Sequence, residues 1–219
     1  MSLDDLLQSL NRFERRFFPR YREHFRRLVE KGQQPRMLFI GCSDSRVVPY
    51  LLTGAGPGEL FVVRNVGNLV PIWSDEHVGH GTAAAVEYAV AVLGVRDIVV
   101  CGHSHCGAIR ALYDDHDLAL PNLNAWLDFA RPAVLPVSVS EEALRRTEQR
   151  SVVLQLERLL EYPMVRQGVE AGRLFLHGWH YLIEAGKVLV LDVERGSFVE
   201  ADAVMGVQAQ PEGAVYQLQ

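Results

Sequence analysis

Cys42, Asp44 and Arg46 stand two apart, directly after an apolar run, Met37-Leu38-Phe39-Ile40, and a glycine, Gly41. Such a run reads as a buried strand that stops at a tight turn. If the backbone stays extended just past the strand, side chains two apart share a face. A soft metal ligand, a carboxylate and a guanidinium then point the same way. A second stretch repeats the pattern: Asp97-Ile98-Val99-Val100-Cys101-Gly102, followed by His103-Ser104-His105-Cys106. A histidine and a cysteine three apart at the start of a helix can reach one ion. Cys42, Asp44, His103 and Cys106 together make a four-ligand set suited to zinc, because thiolate and imidazole favour it over magnesium or calcium. Four protein ligands make a closed staple, but staples mostly serve small folds that cannot build a core. Arg46 gives Asp44 a second partner. Paired with Arg46, the carboxylate leaves the metal three protein ligands and an open place for water; bound to the metal, it shuts the site.

These residues must be held by a sheet. Met37–Gly41, Glu59–Val63 and Asp97–Gly102 read as three strands, with both ligand sets at carboxyl ends, where open α/β sheets place their sites. Arg173–His177 and Lys187–Val193 read as a fourth and a fifth, turned by Glu184-Ala185-Gly186. Ser2–Phe18 has Leu3, Leu6, Leu7, Leu10 and Phe13 at helical spacing; Pro19 should break it before a second helix over Arg20–Glu30. The many arginines of these helices, from Arg12 to Arg27, read as a solvated or subunit-facing surface. Gly81–Leu93 is apolar on nearly all sides and should be a buried helix. Further helices are expected from Val47, Cys106 and Asn122 and over Ser140–Glu161, the last ended by Pro163. Gly54-Ala55-Gly56-Pro57-Gly58 precedes a strand instead of following one, so it is a turn and not a dinucleotide loop. Asp114-Asp115-His116-Asp117 is an acidic, solvated turn, and Ala209–Gln219 has little pattern. The expected fold is α/β: a central, mostly parallel sheet of four strands plus a C-terminal fifth, flanked by helices. One domain over 1–219 divides into a helical arm (1–32), a zinc-binding core (33–200) and a tail (205–219).

The chain has 219 residues, 48% apolar and 22% charged, enough to bury a sizeable core without disulfides. A net charge of -5 leaves no basic footprint for nucleic acid. No apolar run spans a membrane, and the acidic start Met1-Ser2-Leu3-Asp4-Asp5 lacks a signal-peptide core, so the expectation is a cytoplasmic protein with no membrane partner. Of three cysteines, Cys101 falls inside a strand and reads as an inert, buried thiol. Ser43 and Ser45 have no base spaced to activate them. Trp73, Trp126 and Trp179 read as core or interface.

CSDSR (42–46), RNVGN (64–68), AAVEYAV (84–90), GHSHCG (102–107), SVVLQLERLLEYPMV (151–165) and LHGWHY (176–181) match, in order and spacing, the β-class carbonic anhydrases, over roughly Gln33 to Val193. The chain resembles the plant-type branch of that family. The resemblance implies reversible hydration of CO2 to bicarbonate by zinc hydroxide, with Cys42, His103 and Cys106 as permanent ligands. Asp44 then pairs with Arg46 or replaces the zinc-bound water. Gln33, in a GQ-x-P context, corresponds to a glutamine that donates to bicarbonate, and Phe61, Val66 and Tyr88 to residues lining the CO2 pocket, partly across a dimer interface. The branch gated by bicarbonate away from the zinc has a tryptophan where this chain has Phe39, while Arg64 and Tyr181 stand at matching positions. His77, His80 and His105 are candidates by type for carrying the released proton. The family also implies a homodimer or higher oligomer, with the N-terminal helices as an arm around a partner, and allows enclosure in a carbon-fixing microcompartment. Two other readings share the zinc site: a COS or CS2 hydrolase, and a zinc-stapled scaffold docking through its tail.

Overall fold

The computed structural model describes residues 2–75, 79–114 and 119–204. His77, residues 115–117 of the acidic turn and the tail from 205 onward lie outside them. The chain divides into two compact units, Met1–Gln34 and Pro35–Gln219.

The first unit is helical. Ser2 caps α1 (Leu3–Arg12) by accepting the Asp5 N–H, while the Asp5 carboxylate takes the Ser2 N–H, a reciprocal pair that satisfies two free donors. The ladder then widens to a π-helix over Phe13–Phe17 and continues into α2 (Phe18–Lys31). The expected break at Pro19 does not occur. The ring follows directly on the π-helical stretch, where the ladder is already widened and its regular pairing interrupted. Gly32, with φ at 75°, ends the helix. Leu3, Leu6, Leu7, Leu10 and Phe13 stay exposed.

The second unit is a six-stranded sheet in the order β2-β1-β3-β4-β5-β6. Strands β1 (Met37–Cys42), β2 (Leu60–Asn65), β3 (Asp97–His103) and β4 (Phe175–Leu182) are parallel; β5 (Lys187–Asp192) and β6 (Ser197–Glu200) continue antiparallel. The sequence pattern lacked β6, whose four residues are too few to show a period. β1 and β3 are covered on both faces, as parallel strands with near-continuous apolar runs should be. The connection from β1 runs through α3 (Pro49–Thr53) to one side, and β3 lies on the other, so the crevice opens at the carboxyl ends of β1 and β3.

Helix α7 (Glu141–Leu159), capped by Ser140 accepting the Ala143 N–H, packs on β3 and β4. Glycine allows the approach: a Cβ on Gly102 would lie 2.6 Å from Val152 Cγ2. Leu38, Ile40, Ile98 and Val100 from the sheet meet Val152, Leu159 and Tyr162 in the main core. Pro163 does not follow the end of that helix directly; it opens another, α8 (Pro163–Glu170), whose first turn tolerates proline. The segment expected as one buried helix is α4 (Gly81–Glu87) followed by a π-helix over Tyr88–Val92. Only part of it is buried. Val86 and Ala89 face the core, but Tyr88 and Val92 are exposed. An apolar sequence on all sides therefore does not mean burial on all sides within one protomer.

A Glu148 carboxylate, buried under α7, accepts the Cys106 N–H with one oxygen (3.0 Å) and meets His180 Nε2 with the other (3.1 Å). Glu148→Ala strands both groups, and breaking such a buried pair should cost about 3 kcal/mol. Urea unfolding should show this as a lower midpoint at unchanged slope, with Glu148→Gln, which keeps an acceptor, losing much less.

Candidate metal centre

β1 delivers Cys42 at its last residue and β3 delivers His103 at its own. The chain then turns through Ser104 and His105, the latter in the left-handed region at φ 57°, and Cys106 caps the start of α5 (Gly107–Ala111). The expected helix thus starts after the ligands: Cys106 is its cap and His103 still belongs to the strand. The ligand atoms of Cys42, His103 and Cys106 all lie within 4.8 Å of one another, and all three residues are buried.

His103 Nδ1 lies 2.8 Å from the Ser104 carbonyl, which makes it the protonated nitrogen and leaves the lone pair on Nε2. That Nε2 is buried and has no hydrogen-bond partner among the described residues. A buried, unpartnered imidazole nitrogen facing two thiols fits a soft-to-borderline divalent ion. Cys42 Sγ also accepts the N–H groups of Asp44 and Gly67, each at 3.4 Å. The Cys42 thiol is pulled far below its ordinary value, first by the hydrogen bond from the Cys106 thiol and, against the cost of burial, by His103 and the two amides. Cys106, facing that thiolate, is pushed well above its own. Cys101 is different: burial pushes its thiol up to about 12, which makes it inert.

Asp44 stands apart from the three-ligand cluster. The backbone does not stay extended past β1 but turns, Val47 N–H donating to the Asp44 carbonyl at 3.0 Å. The turn brings the carboxylate within reach of Arg46. Arg46 grips it with Nε on Oδ1 (2.9 Å) and Nη2 on Oδ2 (2.7 Å), and the Arg46 N–H adds a bond to Oδ1 at 3.0 Å. Nη2 also donates to the His105 carbonyl at 3.1 Å, tying the pair to the loop between the two histidine and cysteine ligands. Arg46, through these bonds, holds the Asp44 carboxyl well below the usual carboxylate range.

The sign of the pH effect follows. An unfolded aspartate titrates near 3.9. With a lower folded value, what the pair contributes is complete above that pH and is lost as the pH falls through the folded value. Carboxyl 13C shifts of Asp44 should therefore show no titration step between pH 9 and about 4.

Gln33 belongs to the first unit and is exposed. Phe61 lies on β2, its ring 5.9 Å from that of Tyr88; Val66 and Tyr88 are 41% and 43% exposed. Phe39 is fully buried, edge-on to Trp179 at 6.2 Å. Arg64 donates to the Cys42 carbonyl (3.0 Å) and the Asp44 carbonyl (2.7 Å), clamping the turn that carries the pair. Of the histidines considered for proton transfer, His80 is stacked on Trp126 at 5.3 Å, and exposed His105 points Nε2 at Glu184, 3.5 Å away. Sequence reasoning missed Glu148 and Gly67. Nothing near Glu148 in sequence marks it, whereas Gly67 sits in RNVGN, where a glycine between polar residues signals a turn.

The family model described as carbonic anhydrase matches residues 37–188. A carbonic anhydrase of Pseudomonas aeruginosa is 44% identical over 220 residues, covering 96% of this chain and 99% of that protein. The solved structure of the β-carbonic anhydrase CcaA superposes with a TM-score of 0.85 at 38% identity, covering 91% of this chain and 92% of that one. A tetrameric β-carbonic anhydrase of the ascomycete Sordaria macrospora gives a TM-score of 0.76 at 29% identity, over 90% of this chain and 98% of that one.

Proposed function

The chain belongs to the β-class carbonic anhydrases and catalyses the reversible hydration of CO2, and from that premise we propose how its own residues carry the reaction. Cys42, His103 through Nε2, and Cys106 hold a zinc ion. Three protein ligands is the number of a catalytic site and not of a structural one. Bound there, zinc supplies a Lewis acid that makes water nucleophilic near neutral pH, a general property of sites of this activity. Asp44, locked by Arg46, accepts a hydrogen bond from the nucleophilic water and so turns a lone pair toward the carbon. Because three donors of Arg46 already occupy it, the carboxylate has little freedom to swing onto the metal and act as a fourth ligand. Phe61, Val66 and Tyr88 hold CO2 away from bulk water, and Gln33 donates to an oxygen of the product.

The observation that carries this reading is the Asp44–Arg46 pair beside a separate three-ligand cluster. A mere staple has no use for it. Stopped-flow CO2 hydration on zinc-loaded protein from pH 6.5 to 9 tests the reading. Fast turnover across the range is the expected result. Activity confined to high pH would mean that Asp44 closes the site, and no activity with zinc bound would refute the assignment.

The functional molecule is a homodimer or a higher oligomer. Val66, Tyr88 and Val92 are apolar and exposed in the isolated protomer, as is the leucine face of α1, and a second copy would cover such surface. A concentration-independent monomer in sedimentation would contradict this. Among the described residues no helix is long and apolar enough to cross a membrane. The unpaired cysteines suit a reducing compartment such as the cytoplasm.

A further inference from the structure

Val66 and Gly67 share one peptide group, and both of its polar ends are used. The Gly67 N–H donates to Cys42 Sγ at 3.4 Å. The Val66 carbonyl accepts the indole N–H of Trp126, 2.6 Å away and 60 residues distant in sequence. An amide is a planar, resonance-coupled unit. A donor on its oxygen withdraws electron density through the C–N bond and makes its own N–H a stronger donor, so hydrogen bonds in series reinforce each other.

The peptide needs such a support. Gly67 sits at φ 80° and Asn68 at φ 51°, so the Val66–Gly67 peptide leads into a left-handed turn, and rotation about the bonds on either side of it decides where its two ends point. One side of the turn is fixed: Asn65 accepts the Leu69 N–H and donates to the Leu69 carbonyl, both at 2.8 Å. A Cβ at Gly67 would stand 3.0 Å from Ala108 Cβ, so the backbone there comes close enough to reach the sulfur only as glycine. Those contacts bracket the turn without setting the direction of the 66–67 peptide. Trp126 sets it. The indole itself is held by His80 stacked on it and by Phe129 edge-on at 5.4 Å.

We propose that Trp126 is a positioning residue for the metal centre: through the Val66–Gly67 peptide it aims and strengthens an N–H···S bond on the ligand Cys42, and so tempers how much charge that thiolate gives the metal. Outer hydrogen bonds of this kind tune ligand basicity and commonly change metal affinity or activity by about 10–100-fold. The inference rests on the metal-site reading above.

The test uses cobalt(II)-loaded full-length protein and reads the thiolate-to-cobalt charge-transfer band. Trp126→Phe removes the N–H and keeps a ring. Benzothienylalanine incorporated at position 126 keeps the bicyclic shape and lacks only the donor, so it decides the matter if the Phe variant folds poorly. In both, a more electron-rich sulfur should move the band to longer wavelength. A band that stays in place in the benzothienylalanine protein, whatever happens to thermal stability, would make Trp126 a packing residue and overturn the proposal. A native protein that shows no such band with cobalt would overturn the metal-site reading, and this inference with it.

Discussion

Asp44→Asn should lower kcat for CO2 hydration by about 10²–10⁴-fold, the range that a positioned proton acceptor contributes. The argument is one of donors and acceptors. Asp44 accepts from the Arg46 backbone N–H, Nε and Nη2. An asparagine offers only one acceptor atom, and its NH2 would confront a guanidinium that is itself all donors. The side chain must rotate, so the nucleophilic water loses both its acceptor and the direction imposed on it. The metal should remain, since the clustered ligands are Cys42, His103 and Cys106. Stopped-flow rates and metal content on the same sample check both halves. A wild-type rate in Asp44→Asn would remove Asp44 from the mechanism. Loss of metal together with activity would make it a ligand instead.

Chelation should abolish activity and leave the fold standing. A ligand that binds only the native state stabilises it by RT ln(1 + [L]/Kd), about 4 kcal/mol at a free concentration a thousand times Kd. For a chain of this size that is a drop in Tm of about 10 °C on metal removal. The sheet should survive, because its core is packed from Leu38, Ile40, Ile98, Val100, Val152 and Tyr162 and owes nothing to the ligands. Far-UV circular dichroism should thus be unchanged at 20 °C while the melt moves down. Zinc added back in stoichiometric amount should restore both rate and melting point. Turnover that persists in metal-free protein would contradict the assigned chemistry.

The parts of the molecule that could be read in advance are those where a residue's own chemistry or period decides its place. Apolar runs ending in glycine gave β1 and β3, and residue type gave the ligands, since few residues other than cysteine and histidine suit a soft metal. Proline was misread twice: Pro163 opens a helix, where its missing N–H is free, and Pro19 is carried through a continuous helix just after a π-helical stretch, and local sequence tells neither setting from a break. The turn after β1 also escaped, because the spacing argument assumed an extended backbone there. Glu148 and Trp126 act across 42 and 60 positions of chain. Such pairings belong to the packing of α7 on the sheet and to the reach of Trp126, from the helix over Pro121–Leu127, to the Val66 turn, and no local pattern encodes them.

The two ligand-bearing strands are interior strands of the sheet, each flanked on both sides by parallel neighbours. Opening free energies rise from the fraying edges of a structure to its core. Cys42 and His103 therefore share the slowest clock in the protein, that of amides which exchange with solvent only when most of the sheet comes apart. Cys106 keeps a faster one, on a helix of five residues. A bound ion is thus anchored at two points on the timescale of unfolding and at one on the timescale of local breathing. Cys106 would be the first of the three ligands to let go of a bound ion, and the two strand-borne ligands would slow its loss, so the holoprotein would keep its metal by kinetics as well as by affinity.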